Sequence, residues 1–226
     1  MTIRVSVRNL VEFILREGDI DNRMAKAPTD AMQEGSRIHR MIQKRMGIEY
    51  EAEVPLKFQV DCEKYVIQVE GRADGVIHRN DIVIVDEIKG TYRDLKYITE
   101  PVPVHLAQAM CYAYFLACME DLRQVDVRMT YCNIDTEEVK YFQEKYTFVQ
   151  LREFFDGLMK EYRKWADFEY EWKQIRGESI HKLEFPFAYR EGQKELAGHV
   201  YQTICHKKKL FIQAPTGVGK TISTVF

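Results

Sequence analysis

Along the chain the spacing of apolar residues switches between a period near 3.6 and a period of two, and each switch marks an element. Residues 3–7 read as a short strand that passes into a helix over 9–16, with Ser6 available as its cap. Gly18 and Asp19-Ile20-Asp21 end that helix. A second helix runs from Thr29 or Asp30 to about Met46, with cap chemistry in Thr29-Asp30-Ala31-Met32-Gln33 and a stop at Gly47. Three β-branched, alternating stretches follow, over 50–61, 65–79 and 82–89, divided by turns at Asp61-Cys62-Glu63-Lys64 and Asn80-Asp81. After Pro101 and Pro103 the helical period returns over 104–119. Strands over 125–133 and 139–146 flank Asp135-Thr136, and a helix dense in aromatic and charged residues covers 148–173. The order αβββαββα predicts an α/β (α+β) fold, a mixed β-sheet flanked by helices.

The pattern changes near Gly177. A linker over 176–185 leads to Pro186, then to a helix over 191–206 and a short buried strand at Leu210-Phe211-Ile212-Gln213. Ala214-Pro215-Thr216-Gly217-Val218-Gly219-Lys220-Thr221 follows directly, and no internal repeat is present.

Composition narrows the class. The 226 residues carry 33 Lys and Arg against 35 Asp and Glu, a formal net charge of −2, and 46% of them are hydrophobic, enough for a packed core. This excludes collagen-like, mucin-like and wholly disordered chains. No apolar run approaches the roughly 18 residues of a bilayer span, and the start of the chain is not a basic-then-apolar signal peptide. A cytoplasmic protein with no membrane partner is expected. At this charge any contact with nucleic acid must come from a local basic patch. The five cysteines, Cys62, Cys111, Cys118, Cys132 and Cys205, form no C-x-x-C pair and no zinc-ligand ladder, so they read as reduced, mostly buried thiols.

Chemistry gathers on the second hairpin. With Asn80-Asp81 as a two-residue loop, Arg79 pairs with Ile82, and the register carries Asp74 opposite Glu87. The period of two puts Lys89 on the face of Glu87. Two carboxylates about 5 Å apart repel unless a cation lies between them. Hard oxygen ligands favour Mg²⁺ or Mn²⁺ over Zn²⁺, and Lys89 is placed to hold or help deprotonate an attacking water. Taken singly, Asp74 also reads as a turn residue and Glu87-Ile88-Lys89 as a solvated charge pair.

Gly35 to His39, Gly71-Arg72-Ala73-Asp74, Glu87-Ile88-Lys89 and Gln108 to Tyr112 occur in that order. In this the sequence over 1–175 resembles the PD-(D/E)XK nuclease superfamily, specifically its RecB-like exonuclease branch. The resemblance implies a restriction-endonuclease-like sheet. It implies that His39, Asp74 and Glu87 hold the metal with the carbonyl of Ile88, and that Lys89 is the catalytic lysine beside Asp74 and Glu87. Gln108 and Tyr112 would touch DNA or brace the catalytic strand, and Gly35 would let its helix approach closely enough for His39 to reach the ion. Ala73 replaces the literal Pro of the superfamily name. Many relatives bind an iron–sulfur cluster through one cysteine upstream of the histidine helix and three near the nuclease C-terminus. That pattern is missing here, so no cluster is expected.

Ala214 to Thr221 matches A-x-x-G-x-G-K-T, a phosphate-binding loop in which Gly217 and Gly219 allow backbone N–H groups to cradle phosphates. Lys220 would reach the β and γ phosphates and Thr221 would ligand Mg²⁺. Phe187-Ala188-Tyr189-Arg190-Glu191-Gly192-Gln193 resembles the adenine-reading Q motif of DinG/XPD-type superfamily 2 helicases, with Gln193 as the reader. Residues 186–226 then look like the opening of a RecA-like helicase motor that binds ATP. No acidic Walker B strand follows, so this chain alone is not expected to hydrolyse ATP, and it is expected to be one piece of a longer polypeptide.

Together these features predict a metal-dependent DNA exonuclease that acts on single-stranded DNA as the nuclease part of a helicase-nuclease. Arg37, Arg40, Lys44, Arg45, Arg93 and Lys96 are candidates for the local phosphate patch, and Tyr92 and Tyr97 for stacking on bases. The alternative is an inactive nuclease-fold module that binds DNA and positions the helicase. A third reading, an ATPase acting on RNA or protein, treats the four ordered motifs as accident. Strand polarity stays open.

Overall fold

The computed structural model describes residues 1–17, 31–80, 82–185 and 187–225. The chain forms two compact units, Met1–Glu171 and Trp172–Phe226.

In the first unit β1 (Thr2–Ser6) turns directly into α1 (Val7–Leu15). Ser6 stays extended and its hydroxyl accepts from the Asn9 N–H at 3.1 Å, the cap that the sequence predicts. The predicted stop at Gly18 to Asp21 and the predicted cap at Thr29 or Asp30 lie outside the described residues. α2 (Ala31–Arg45) precedes β2 (Tyr50–Cys62), β3 (Tyr65–Arg79) and β4 (Ile82–Thr91). A 3₁₀ turn at Leu95–Tyr97 leads to α3 (Pro103–Glu120), whose proline occupies the first turn, where no N–H is needed. β5 (Gln124–Asn133), β6 (Val139–Thr147) and α4 (Phe148–His181) complete the order. α4 continues to His181, so positions 176–181 of the predicted linker are helical.

The sheet is mixed, as the alternation of strands and helices predicts. β2 runs antiparallel along one edge of β3, and Cys62 pairs with Tyr65, which shrinks the predicted turn to Glu63-Lys64. The other edge of β3 is shared. Parallel β1 takes Val66 to Glu70, and antiparallel β4 takes Gly75 to Arg79. β4 continues in parallel to β5 across α3, and β6 closes antiparallel. Residues 71–74 therefore lie where neither β1 nor β4 pairs with β3.

α1, α3 and α4 cover one face with a core that includes Val69, Ala73, Phe115 and Phe155. Phe58 stacks on Phe115 there, with centroids 5.4 Å apart. α2 covers the other face through Ile38 and Ile42 against Ile88 and Cys132. The alternation slips once. Ile67, Val69 and Ala73 face the main core, and so does Val76, which a strict period of two would point away. The slip falls at Asp74, opposite Glu53, whose φ of 58° interrupts β2, and the ladder skips this pair.

In the second unit Gly192, at a φ of 72°, delays the start of α5 (Gln193–Cys205) to two residues after the predicted position, and α6 (Lys220–Val225) follows the glycine-rich loop. The strand predicted at 210–213 does not form. Phe211 is 92% exposed, and no strand among the described residues of this unit offers Leu210 to Gln213 a hydrogen-bonding edge. Of the cysteines, Cys62, Cys111 and Cys132 are buried thiols, while Cys118 and Cys205 are exposed.

Candidate active site

Asp74 lies at the break in the sheet. The hairpin register is the predicted one, with Arg79 opposite Ile82, yet the ladder ends at Gly75 and Asp86, and Asp74 does not pair with Glu87. Its carboxylate instead substitutes for a strand partner: Oδ2 accepts the Ile88 N–H at 2.7 Å. The other oxygen, Oδ1, is 3.2 Å from His39 Nδ1. Burial lowers the His39 pKa, but the hydrogen bond and charge of Asp74 outweigh it and the net shift is upward.

On the far side of Ile88 the chain presents Glu87 and Lys89 to the α3 face. Glu87 is 1% exposed, and its Oε1 accepts from Lys89 Nζ at 2.6 Å. Lys89 Nζ also lies 3.4 Å from Gln108 Oε1. Burial first, and the neighbouring Asp74 charge second, push the Glu87 pKa up. Glu87 Oε2 is buried with no hydrogen-bond partner among the described residues. A buried carboxylate oxygen without a donor is costly unless a cation answers it.

A donor set that could hold a cation lies at Asp74, and it does not include Glu87. One atom each from His39, Glu53 and Asp74 lie within 4.8 Å of one another, two hard oxygens and an imidazole. Glu53 is absent from the residues singled out in the sequence. The narrower turn explains why: with Cys62 paired to Tyr65, position 53 falls opposite 74, whereas a four-residue turn puts 51 there. Gln43, one turn after His39 on α2, was missed as well. Its Nε2 donates to the Asp74 carbonyl at 3.0 Å and lies 3.1 Å from Glu53 Oε1.

The other expected residues divide. Tyr112 is 3% exposed with its hydroxyl over Gly71, where a Cβ would sit 2.5 Å from it, so it braces β3 and offers no surface to DNA. Among the described residues nothing lies within 4 Å of a Cβ added at Gly35. The close approaches fall at Gly71 and at Gly75, where Tyr50 occupies the place of a Cβ. Arg37 and Arg45 bind Glu137 at 2.7 and 2.9 Å, and Lys96 binds Asp94 at 2.7 Å, so those three charges are already engaged. Arg40 and Arg93 are exposed, as are Tyr92 and Tyr97. A cleft of about 430 Å³ beside Lys89 is lined by Arg93, Tyr97 and His105. Burial, with Lys89 and Arg8 adding to it, pushes His105 down to about 4, so it is neutral there at pH 7.

In the second unit the predicted nucleotide residues meet. Gly217 and Gly219 take φ values of 84° and 81°, a backbone conformation that favours glycine. Lys220 Nζ donates to the carbonyls of Ala214 and Pro215 at 2.8 and 2.6 Å, folded back into the loop. Gln193 accepts from the Arg190 N–H at 3.0 Å and reaches the Gly219 carbonyl at 3.4 Å. Gln193, Gly217, Gly219, Lys220 and Thr221 border a cleft of about 560 Å³.

The PD-(D/E)XK nuclease superfamily matches this sequence over residues 8–189. No curated protein matches it. Among solved structures, the crystal structure of SSO0001 aligns over 70% of this chain and 75% of its own, with 16% identity and a TM-score of 0.47. That of an alkaline exonuclease (LHK-Exo) from Laribacter hongkongensis aligns over 78% of this chain and 94% of its own, with 11% identity and a TM-score of 0.47. The same enzyme in complex with dAMP aligns with 12% identity over the same shares, also with a TM-score of 0.47.

Proposed function

The chain belongs to the PD-(D/E)XK nuclease superfamily, and from that premise we propose that its first unit is a metal-dependent DNA exonuclease that hydrolyses phosphodiester bonds in single-stranded DNA. The observation that carries this reading is the buried Glu87 Oε2, without a hydrogen-bond partner among the described residues, next to Asp74 and Lys89. His39, Asp74 and Glu87 would hold Mg²⁺ or Mn²⁺, with the carbonyl of Ile88 and with Glu53 at the rim. The ion supplies Lewis acidity at the scissile phosphate. Glu87 and Gln108 hold the Lys89 ammonium at one place beside the attacking water, where its charge favours the developing negative charge. Water attacks phosphorus, the P–O bond to the leaving strand breaks, and the leaving oxygen takes a proton. Exposed Tyr92 and Tyr97 and the cleft beside Lys89 support a single strand with unstacked bases.

The second unit is read as the opening of a DinG-like motor that binds ATP through Gln193, Gly217, Gly219, Lys220 and Thr221. The two positive-φ glycines and the cleft they border support this reading. Both the helicase and its coupling to the nuclease belong to this proposal.

The test is end-labelled single-stranded DNA, blocked at either end, incubated with and without Mn²⁺ or Mg²⁺, with Lys89→Ala as control. Metal-dependent loss of label that Lys89→Ala abolishes is expected, and the blocked ends give the polarity. Binding without cleavage by both proteins would replace the exonuclease with a DNA-positioning module.

A further inference from the structure

At Asp74 the sheet register breaks on both edges: the pairs Glu53–Asp74 and Asp74–Glu87 are both missing from their ladders. Main-chain polar groups in such a gap need other partners, and here they come from side chains. Gln43 Nε2 donates to the Asp74 carbonyl at 3.0 Å, and the Tyr50 hydroxyl stands 3.4 Å from the same oxygen. With one proton to donate, that hydroxyl shares it between the Asp74 carbonyl and Asp86 Oδ2, 3.2 Å away. Tyr50 reaches so close only because residue 75 is glycine.

Tyr50 is itself held from behind. Asp86 is completely buried on the α2 face, and Arg128 grips it with Nε at 3.0 Å and Nη2 at 2.8 Å, while Thr130 donates a third bond. A fully buried carboxylate and a guanidinium only 14% exposed are expensive to desolvate, and a hydrophobic pair of similar volume often serves stability as well. The arrangement has one outlet towards the site, the contact of Tyr50 with Asp74. Gln43 provides the second hold, from the same helix face as His39.

We propose that Gln43 and Tyr50, the latter anchored by Asp86 and Arg128, are positioning residues that clamp the Asp74 main chain in the sheet gap and so set where its carboxylate meets a divalent cation. This rests on the metal-site reading above. Paired neighbours Ala73 and Gly75 and the Ile88 N–H on Oδ2 hold Asp74 from either side, but no ladder pair holds residue 74 itself, and a turn of its peptide would swing Oδ1 away from His39 and Glu53. The clamp removes that freedom before a cation arrives, so binding does not spend free energy ordering the ligand. Residues that orient metal ligands typically account for about 10–100-fold in metal affinity.

The test is calorimetric titration of Mn²⁺ into the full chain, without DNA, for wild type, Tyr50→Phe, Gln43→Leu, the double variant and Asp74→Ala. Metal-free melting temperatures are read alongside. The double variant is expected to bind Mn²⁺ about 10–100-fold more weakly, with each single variant in between, while Tyr50→Phe melts close to wild type. Affinity that falls only in proportion to lost stability would make these residues merely structural and overturn the clamp. Wild-type affinity in the double variant, together with loss of binding in Asp74→Ala, would also overturn it. Wild-type affinity in Asp74→Ala would instead remove the metal site on which the clamp depends.

Discussion

Glu87→Gln separates a buried charge kept for a cation from one kept for folding. Glu87 is 1% exposed, one oxygen bonds Lys89, and the other has no donor among the described residues. Leaving a buried polar atom unsatisfied costs about 1–3 kcal/mol, and more when it is charged. The sign with pH follows from the raised carboxyl pKa. A carboxyl whose folded pKa lies above its unfolded value contributes stability that is fully present at acid pH and lost as pH rises through the folded pKa. In EDTA, wild type is therefore expected to lose stability between pH 5 and pH 9, to an extent that Glu87→Gln does not. A cation reverses the balance. At a concentration about 100 times its Kd it adds about 2.7 kcal/mol. At about 2–4 °C per kcal/mol for a chain of this size, that raises the wild-type Tm by about 5–11 °C. Glu87→Gln, with the charge gone, should lose most of that rise. Thermal denaturation across pH, with EDTA or with Mn²⁺, reads all of these together. A Glu87→Gln protein that gains as much from Mn²⁺ as wild type, or a wild type in EDTA whose stability does not change with pH, would refute the reasoning.

Three further outcomes follow from the same structure. Asp86→Ala leaves Arg128 without its buried partner and is expected to cost about 3–5 kcal/mol in urea denaturation; Asp86→Leu with Arg128→Met should recover most of that. Gly71→Ala drives a Cβ to 2.5 Å from the Tyr112 hydroxyl. That should cost about 1–3 kcal/mol, and combining it with Tyr112→Phe should relieve part of the loss, read as the shift in denaturation midpoint. Lys220→Ala should weaken binding of a fluorescent ATP analogue at least tenfold without changing Mn²⁺ binding, and equal nucleotide affinity would dismiss the loop as a phosphate site.

Much of this protein is legible in its sequence because local chemistry decides it. Ser6 caps α1, and Asn80 with its neighbour sets Arg79 opposite Ile82, since a hydroxyl at an N-cap and a two-residue turn act over a few residues. The order of strands and helices follows from apolar period, and the grouping of His39, Asp74, Glu87 and Lys89 from motif order. Only the tertiary structure decided how those four meet. The period of two sets Asp74 squarely opposite Glu87, whereas β3 passes from β1 to β4 just before Gly75 and the pleat slips by one residue. At that slip the Asp74 carboxylate meets the Ile88 N–H and Glu53, while Gln43 and Tyr50 reach the Asp74 carbonyl. Leu210 to Gln213 failed as a strand for the converse reason: its composition suits a sheet, but no edge among the described residues of its unit accepts it. A strand's state depends on which neighbour holds each edge, and that neighbour lies far away in sequence.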